Sequence, residues 1–154
     1  MASRDTTFVS TGTLVIPLFK VTGTILVNAL YGVVTTALAA NHRASSFRLN
    51  DQTAVTYLTA IGGTTLDSAS VGSVIIKDQL AAAAVTLLTS AARAVLEPTT
   101  VQTQIFTPTV LVQKNGIETD IEYRFTSSTN PTTGAMTFFC GYIPLSPDGN
   151  LSVL

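Results

Sequence analysis

The sequence predicts a mainly β protein: an antiparallel β-sandwich, jelly-roll-like, with one short helix near residues 80–95. Three observations lead there. Threonine is the commonest residue, and with valine it fills short β-prone runs. Glycine, proline and asparagine separate those runs and rarely interrupt them. There is no strand–helix alternation of the nucleotide-binding kind and no repeat long enough for a solenoid.

The elements follow in order. Residues 1–11 are polar apart from Phe8 and Val9 and read as an N-terminal arm. Residues 12–19 (GTLVIPLF) form a strand. Pro17 lacks an N–H, so this strand lies at an edge or pairs only through its other side. Residues 23–27 (GTILV) continue the pattern, residues 28–32 (NALYG) read as a turn or kink, and residues 33–39 as a further strand. Asn41, His42 and Arg43 break it, and residues 45–49 alternate weakly. Residues 53–61 (TAVTYLTAI) form the clearest middle strand, with Val55, Tyr57, Thr59 and Ile61 on one face. Gly62 and Gly63 turn the chain, and residues 71–76 are short and β-branched.

Residues 80–95 carry the helical spacing. Leu80, Ala83, Ala84, Leu87, Leu88, Ala91 and Val95 share one stripe, Asp78 is placed to cap the start, and Pro98 ends the run. Strands at 100–106 and 109–114 flank Pro108. Asn115-Gly116 is the strongest hairpin signal in the chain. Beyond it, Ile117, Thr119, Ile121, Tyr123 and Phe125 alternate inward, while Glu118, Asp120, Glu122 and Arg124 alternate outward. Residues 127–134 form a turn-rich loop. Residues 136–143 (MTFFCGYI) are apolar on both faces and suit a central or doubly covered strand. The domain organisation is an arm at 1–11, one sandwich domain at 12–145 and a tail at 146–154.

The composition argues about function by what it withholds. Only 11% of the 154 residues are charged, against roughly 25% in ordinary soluble domains. The net charge is −1 and the basic residues are scattered, which argues against binding a phosphate backbone. No nucleic acid, no membrane and no cofactor are expected as partners. The longest apolar stretch, 25–40, is too short and too interrupted for a spanning helix. The first ten residues lack the apolar core of a secretion signal.

Candidate chemical groups are few. The single His42 has no nucleophile at a suggestive spacing and reads as a loop or interface histidine. Cys140 sits in an apolar strand, where packing outweighs thiolate chemistry. Glu118, Asp120 and Glu122 share one strand face, with successive members roughly 7 Å apart. Three readings stand for them: a solvated face, a calcium site that would need further oxygens, or a charged patch for a basic partner. No catalytic or metal-binding set emerges, and no enzyme is expected.

Two stretches carry a resemblance. Gly12 to Leu18 (GTLVIPL), followed by Gly23 to Val27, is similar to the opening of small β-sandwich head proteins of tailed bacteriophages. Gly134 to Leu145 (GAMTFFCGYIPL) resembles their closing strand. The helix at 80–95 departs from that pattern. The resemblance implies a decoration, or cement, protein on the outer capsid surface, made in the host cytoplasm. It implies a homo-oligomer, with a trimer favoured, that bridges subunits of the major capsid protein. Such a protein stabilises a shell by binding the assembled lattice. Phe8, Val9, Leu151, Val153 and Leu154 are the expected contacts, and removal of residues 1–10 is expected to weaken association while sparing the fold. Other virion roles (a jelly-roll shell subunit, a tail or fibre component) and a host-glycan-binding module are the alternatives.

Overall fold

The computed structural model describes residues 1–9, 11–39, 42–61, 65–77, 84–88, 108–127 and 133–154. Eleven strands are found among them: β1 (Ala2–Phe8), β2 (Gly12–Thr22), β3 (Thr24–Thr36), β4 (Arg43–Asn50), β5 (Val55–Tyr57), β6 (Val74–Ile76), β7 (Thr86–Leu88), β8 (Thr109–Val112), β9 (Thr119–Ser127), β10 (Gly134–Pro144) and β11 (Asn150–Val153). They form two antiparallel sheets. One runs β1-β10-β3-β6-β7, with β8 also paired to β3. The other runs β11-β2-β9-β4-β5.

The pairing is nested. β1 pairs β10, β2 pairs β9, β3 pairs β8 and β6, and β4 pairs β5. The first four strands thus meet later strands in reverse order. The cause is a two-residue periodicity with one apolar face per strand. Each outgoing strand must find a returning strand of matching register to bury that face. The inner faces then meet in one core. Tyr123 of β9 lies 4.8 Å from Phe138 of β10, centroid to centroid, and Phe8 of β1 lies 5.1 Å from Phe125 of β9. Each of these contacts joins one sheet to the other. Gly32, the register partner of Phe138 on β3, leaves room for that ring: a Cβ there would come within 2.9 Å of it and of the Met136 side chain.

Several expectations are corrected. The helix at 80–95 is not supported: Thr86–Leu88 is extended and pairs antiparallel with β6. Its apolar spacing is compatible with either state over a short run, and the β-branched neighbour across the ladder decides for the strand. Residues 80–83 and 89–95 lie outside the described residues, as do the expected strand at 100–106 and the Gly62-Gly63 turn. The break at 28–32 is a bulge. β3 runs unbroken from Thr24 to Thr36, and the register with β10 shifts at Asn28, the extra residue between Val27 and Ala29. The strand expected over 53–61 is cut to Val55–Tyr57 at the sheet edge; Val55 and Ile61 are exposed while Leu58 and Thr59 are buried.

The Asn115-Gly116 turn forms, with φ of 47° and 75° and Ile117 N–H bonded to the Lys114 carbonyl at 2.7 Å. The strands it joins do not pair with each other. β8 pairs β3 in one sheet, and β9 pairs β2 and β4 in the other. Pro17 is accommodated as expected, because β11 flanks only Phe19–Thr22 of β2 and leaves Pro17 with β9 alone.

Both termini are strands. β1 pairs β10 through all seven residues, and β11 pairs β2. Phe8 is 2% exposed and Leu151 is 5% exposed. Loss of residues 1–10 therefore removes a sheet edge and a core ring, so it would not spare the fold. Phe8→Ala should lower stability by about 3–5 kcal/mol, the usual cost of deleting a buried aromatic ring. Urea denaturation followed by far-UV circular dichroism measures this.

Candidate functional site

Three groups of side chains could carry chemistry or contact: the buried histidine, the acidic strand face and the exposed apolar residues near the termini. His42 is fully buried. Its ring stacks on Phe125 at 4.1 Å and meets Phe8 edge-on at 5.0 Å. Nε2 lies 2.8 Å from the Tyr123 hydroxyl, which donates to Ser45 Oγ at 2.9 Å. With Tyr123 donating to Ser45, the proton on this contact belongs to His42 Nε2. Nδ1 then carries a bare lone pair and has no hydrogen-bond partner among the described residues. Burial lowers the imidazole from 6.5 to about 4, against a smaller opposing pull from the Asp67 carboxylate. Burial likewise raises the Tyr123 hydroxyl, with the Ser45 bond opposing it. This triad is a polar seam between aromatic rings, and all three of its residues are buried.

Cys140 is buried in β10, and desolvation pushes its thiol up to about 12. It is packed as a thiol, in line with its strand position.

The acidic face is laced with bases. Glu118 pairs with Lys20 at 2.9 Å, and Glu122 pairs with Arg48 at 2.6 Å. Glu122 also accepts from Asn50 Nδ2 at 3.0 Å. The register sets these partners: Lys20 and Asn50 flank Asp120, while Pro17 and Arg48 flank Glu122. Asp120 and Glu122 point outward as the alternation requires, yet both are buried by the flanking strands. Asp120 is raised by desolvation first, then by Glu118 and Glu122, with Lys20 opposing. Among the described residues no group of three or more His, Cys, Asp or Glu is placed to hold a metal. Arg43–Asp67 and Lys114–Asp51 complete the ion pairs found among them. The second ties the β8–β9 turn to the loop after β4, and Lys114 with Thr53 holds Asp51 well below the usual carboxylate range.

The expected contact residues divide. Phe8 and Leu151 point into the core. Val9 and Val153 are exposed, and Leu154 is partly so. Val9 directly follows β1, Val153 ends β11 and Leu154 follows it; β1 and β11 are edges of the two sheets, and each pairs on one side only among the described residues. Sequence reasoning missed a second exposed set, Val110, Val112, Ile143 and Leu145. The alternation of β8 was its only signal. No helix among the described residues is long and apolar enough to cross a membrane. Compared with known proteins, the chain matches no family model, no curated protein and no solved structure.

The buried histidine makes stability depend on pH. The folded pKa of His42 lies below its unfolded value, so the unfolded chain binds more protons between them and stability falls as pH drops through that window. From about pH 7.5 to about pH 4.5 the loss assigned to His42 is on the order of 2–3 kcal/mol. Asp120, raised in the fold, works in the opposite direction at the acid end. Urea midpoints of the wild type and His42→Phe across this range should show a flatter profile in the variant. The acidic face gives a second test. Arg48→Met leaves Glu122 buried without its counter-ion and should cost about 3 kcal/mol. Adding Glu122→Leu should recover most of that loss, which a double-mutant cycle by urea denaturation reads directly.

Proposed function

We propose that this chain is a structural virion protein that works by contact, a jelly-roll β-sandwich subunit of a viral shell. The observation that carries the proposal is the nested strand order, β1:β10, β2:β9, β3:β8 and β4:β5. A long hairpin rolled into two facing sheets has this order, and jelly rolls of this type serve viral capsids, lectins and cupins. The cupin use needs an open metal-binding histidine, whereas His42 is buried against Phe125 and bonded to Tyr123. The surface supports a contact role: its charges are few, four ion pairs are found among the described residues, and both sheets end in edge strands with exposed valines.

The second reading is the one the sequence resemblance implies, a decoration protein seated on the outside of a phage capsid between major capsid subunits. A specific observation favours it. The chain carries 8 basic against 9 acidic residues, and the basic residues are scattered singly, so no cluster suited to a packaged genome is present in this sequence. Negative-stain electron microscopy and light scattering of the purified protein separate the two. Closed particles are the expected result for a shell subunit. Small oligomers that never close point to decoration. A protein that stays monomeric at high concentration across salt conditions overturns both.

A further inference from the structure

Three strands wall in the His42 ring, and they are not equally held. Phe125 and Tyr123 come from β9, which pairs β2 on one side and β4 on the other. Ser45 comes from β4, which pairs β9 and β5. Phe8 comes from β1, an edge strand that pairs only β10 among the described residues. Alternation puts Ala2, Arg4, Thr6 and Phe8 on the inner face of β1. Phe8 is buried in the core, but Arg4 Nε and Thr6 Oγ1 are buried with no hydrogen-bond partner. Water would satisfy both atoms if the strand lifted away, so each weakens its hold on the sandwich. The ring beneath Phe8 is likewise unfinished. His42 is fully buried, its Nε2 is committed to Tyr123, and its Nδ1 has no partner. A proton added at Nδ1 places a cation between the rings of Phe8 and Phe125, out of reach of water.

We propose that β1 is an acid-released strap: protonation of His42 lifts this strand off the sandwich, opening the ring to water before the two sheets come apart. The inference goes beyond the contact role and stands whether or not that reading holds. The released form is a minor one, because Phe8 leaves the core in it; acid raises its population. The charged groups around the ring do not offset the buried cation. On β1, Arg4 shares the inner face but is itself a cation, and Asp5 faces outward and accepts from Thr137 Oγ1 at 2.6 Å. On β9, Glu122 and Arg124 alternate to the outer face, and the Tyr123 hydroxyl donates to Ser45. On β4, Arg43 binds Asp67 and Arg48 binds Glu122. The segment at Leu66, whose N–H bonds the His42 carbonyl at 2.9 Å, brings Asp67, the one carboxylate that pulls on the ring. That pull is smaller than the cost of burial, and Arg43 already claims Asp67 Oδ2 at 3.0 Å.

The test is hydrogen–deuterium exchange of the dilute full chain, read by mass spectrometry at pH 7.5 and pH 4.5 and corrected for intrinsic exchange rates. The folded pKa of His42 lies below the ordinary value that the opened strand restores, so the opening equilibrium rises as pH falls. Protection of the β1 amides should drop by roughly 20–100-fold between the two pH values. At pH 4.5 those amides should also be at least about tenfold less protected than the β9 amides, which marks an opening short of unfolding. In His42→Phe, which keeps a ring in the column and cannot take up a proton, the β1 protection should be nearly the same at both pH values. Protection of β1 that equals that of β9 overturns the proposal, since the strand then leaves only when the whole chain unfolds. Protection of β1 that does not change with pH in the wild type also overturns it, as does a drop that survives in the variant. Should His42→Phe fail to fold by far-UV circular dichroism, His42→Gln supplies the same comparison, because its amide can donate to Tyr123 and does not titrate.

Discussion

The structure depends on one column of rings between the two sheets. Phe8, His42, Phe125, Tyr123, Phe138 and Phe47 contact one another in sequence, drawn from β1, the residue before β4, and β9, β10 and β4. The rings sit within a wider core that also buries Leu18, Phe19, Ile25, Leu30, Leu66 and Ile75. Each of these rings removes far more apolar area from water than a threonine methyl does, so they dominate the attraction between the sheets. Their placement also explains Gly32, which leaves room for the Phe138 ring over β3.

The histidine belongs to that column. An imidazole kept neutral by burial is flat, so it stacks on Phe125 as a further aromatic ring would, and its one proton bonds to Tyr123. The lone pair left on Nδ1 is a cost the site carries for holding β1 against β9. The polar seam His42–Tyr123–Ser45 therefore couples the N-terminal strand to the centre of the opposite sheet. The β1 edge of its sheet is anchored by the same rings that close the core.

On the outside, the physics is different. Glu122 of β9 is held by Arg48 of β4, and Glu118, just before β9, by Lys20 of β2, at registers set by the strand pairing. Neutralised charge and exposed valine together make a surface with little reason to repel a copy of itself. That property arises from the low charge content of the whole chain.

Much of this was legible in the amino-acid order. The alternation of Thr119, Ile121, Tyr123 and Phe125 against Glu118, Asp120, Glu122 and Arg124 named the inner and outer faces of β9, because side chains on a strand alternate with period two. The Asn115-Gly116 turn, the limit Pro17 sets on pairing and the doubly apolar β10 were equally local properties of backbone and side chain. Partner choice was decided only in three dimensions. β8 and β9 adjoin a tight turn yet enter different sheets, since each buries its apolar face only against strands distant in sequence. Residues 86–88 are extended because β6 lies beside them, and Phe8 is a core residue because His42 and Phe125 wait opposite it. Local periodicity specifies which face of a segment is apolar; the strand that covers it is set by long-range packing, which no single stretch of sequence encodes.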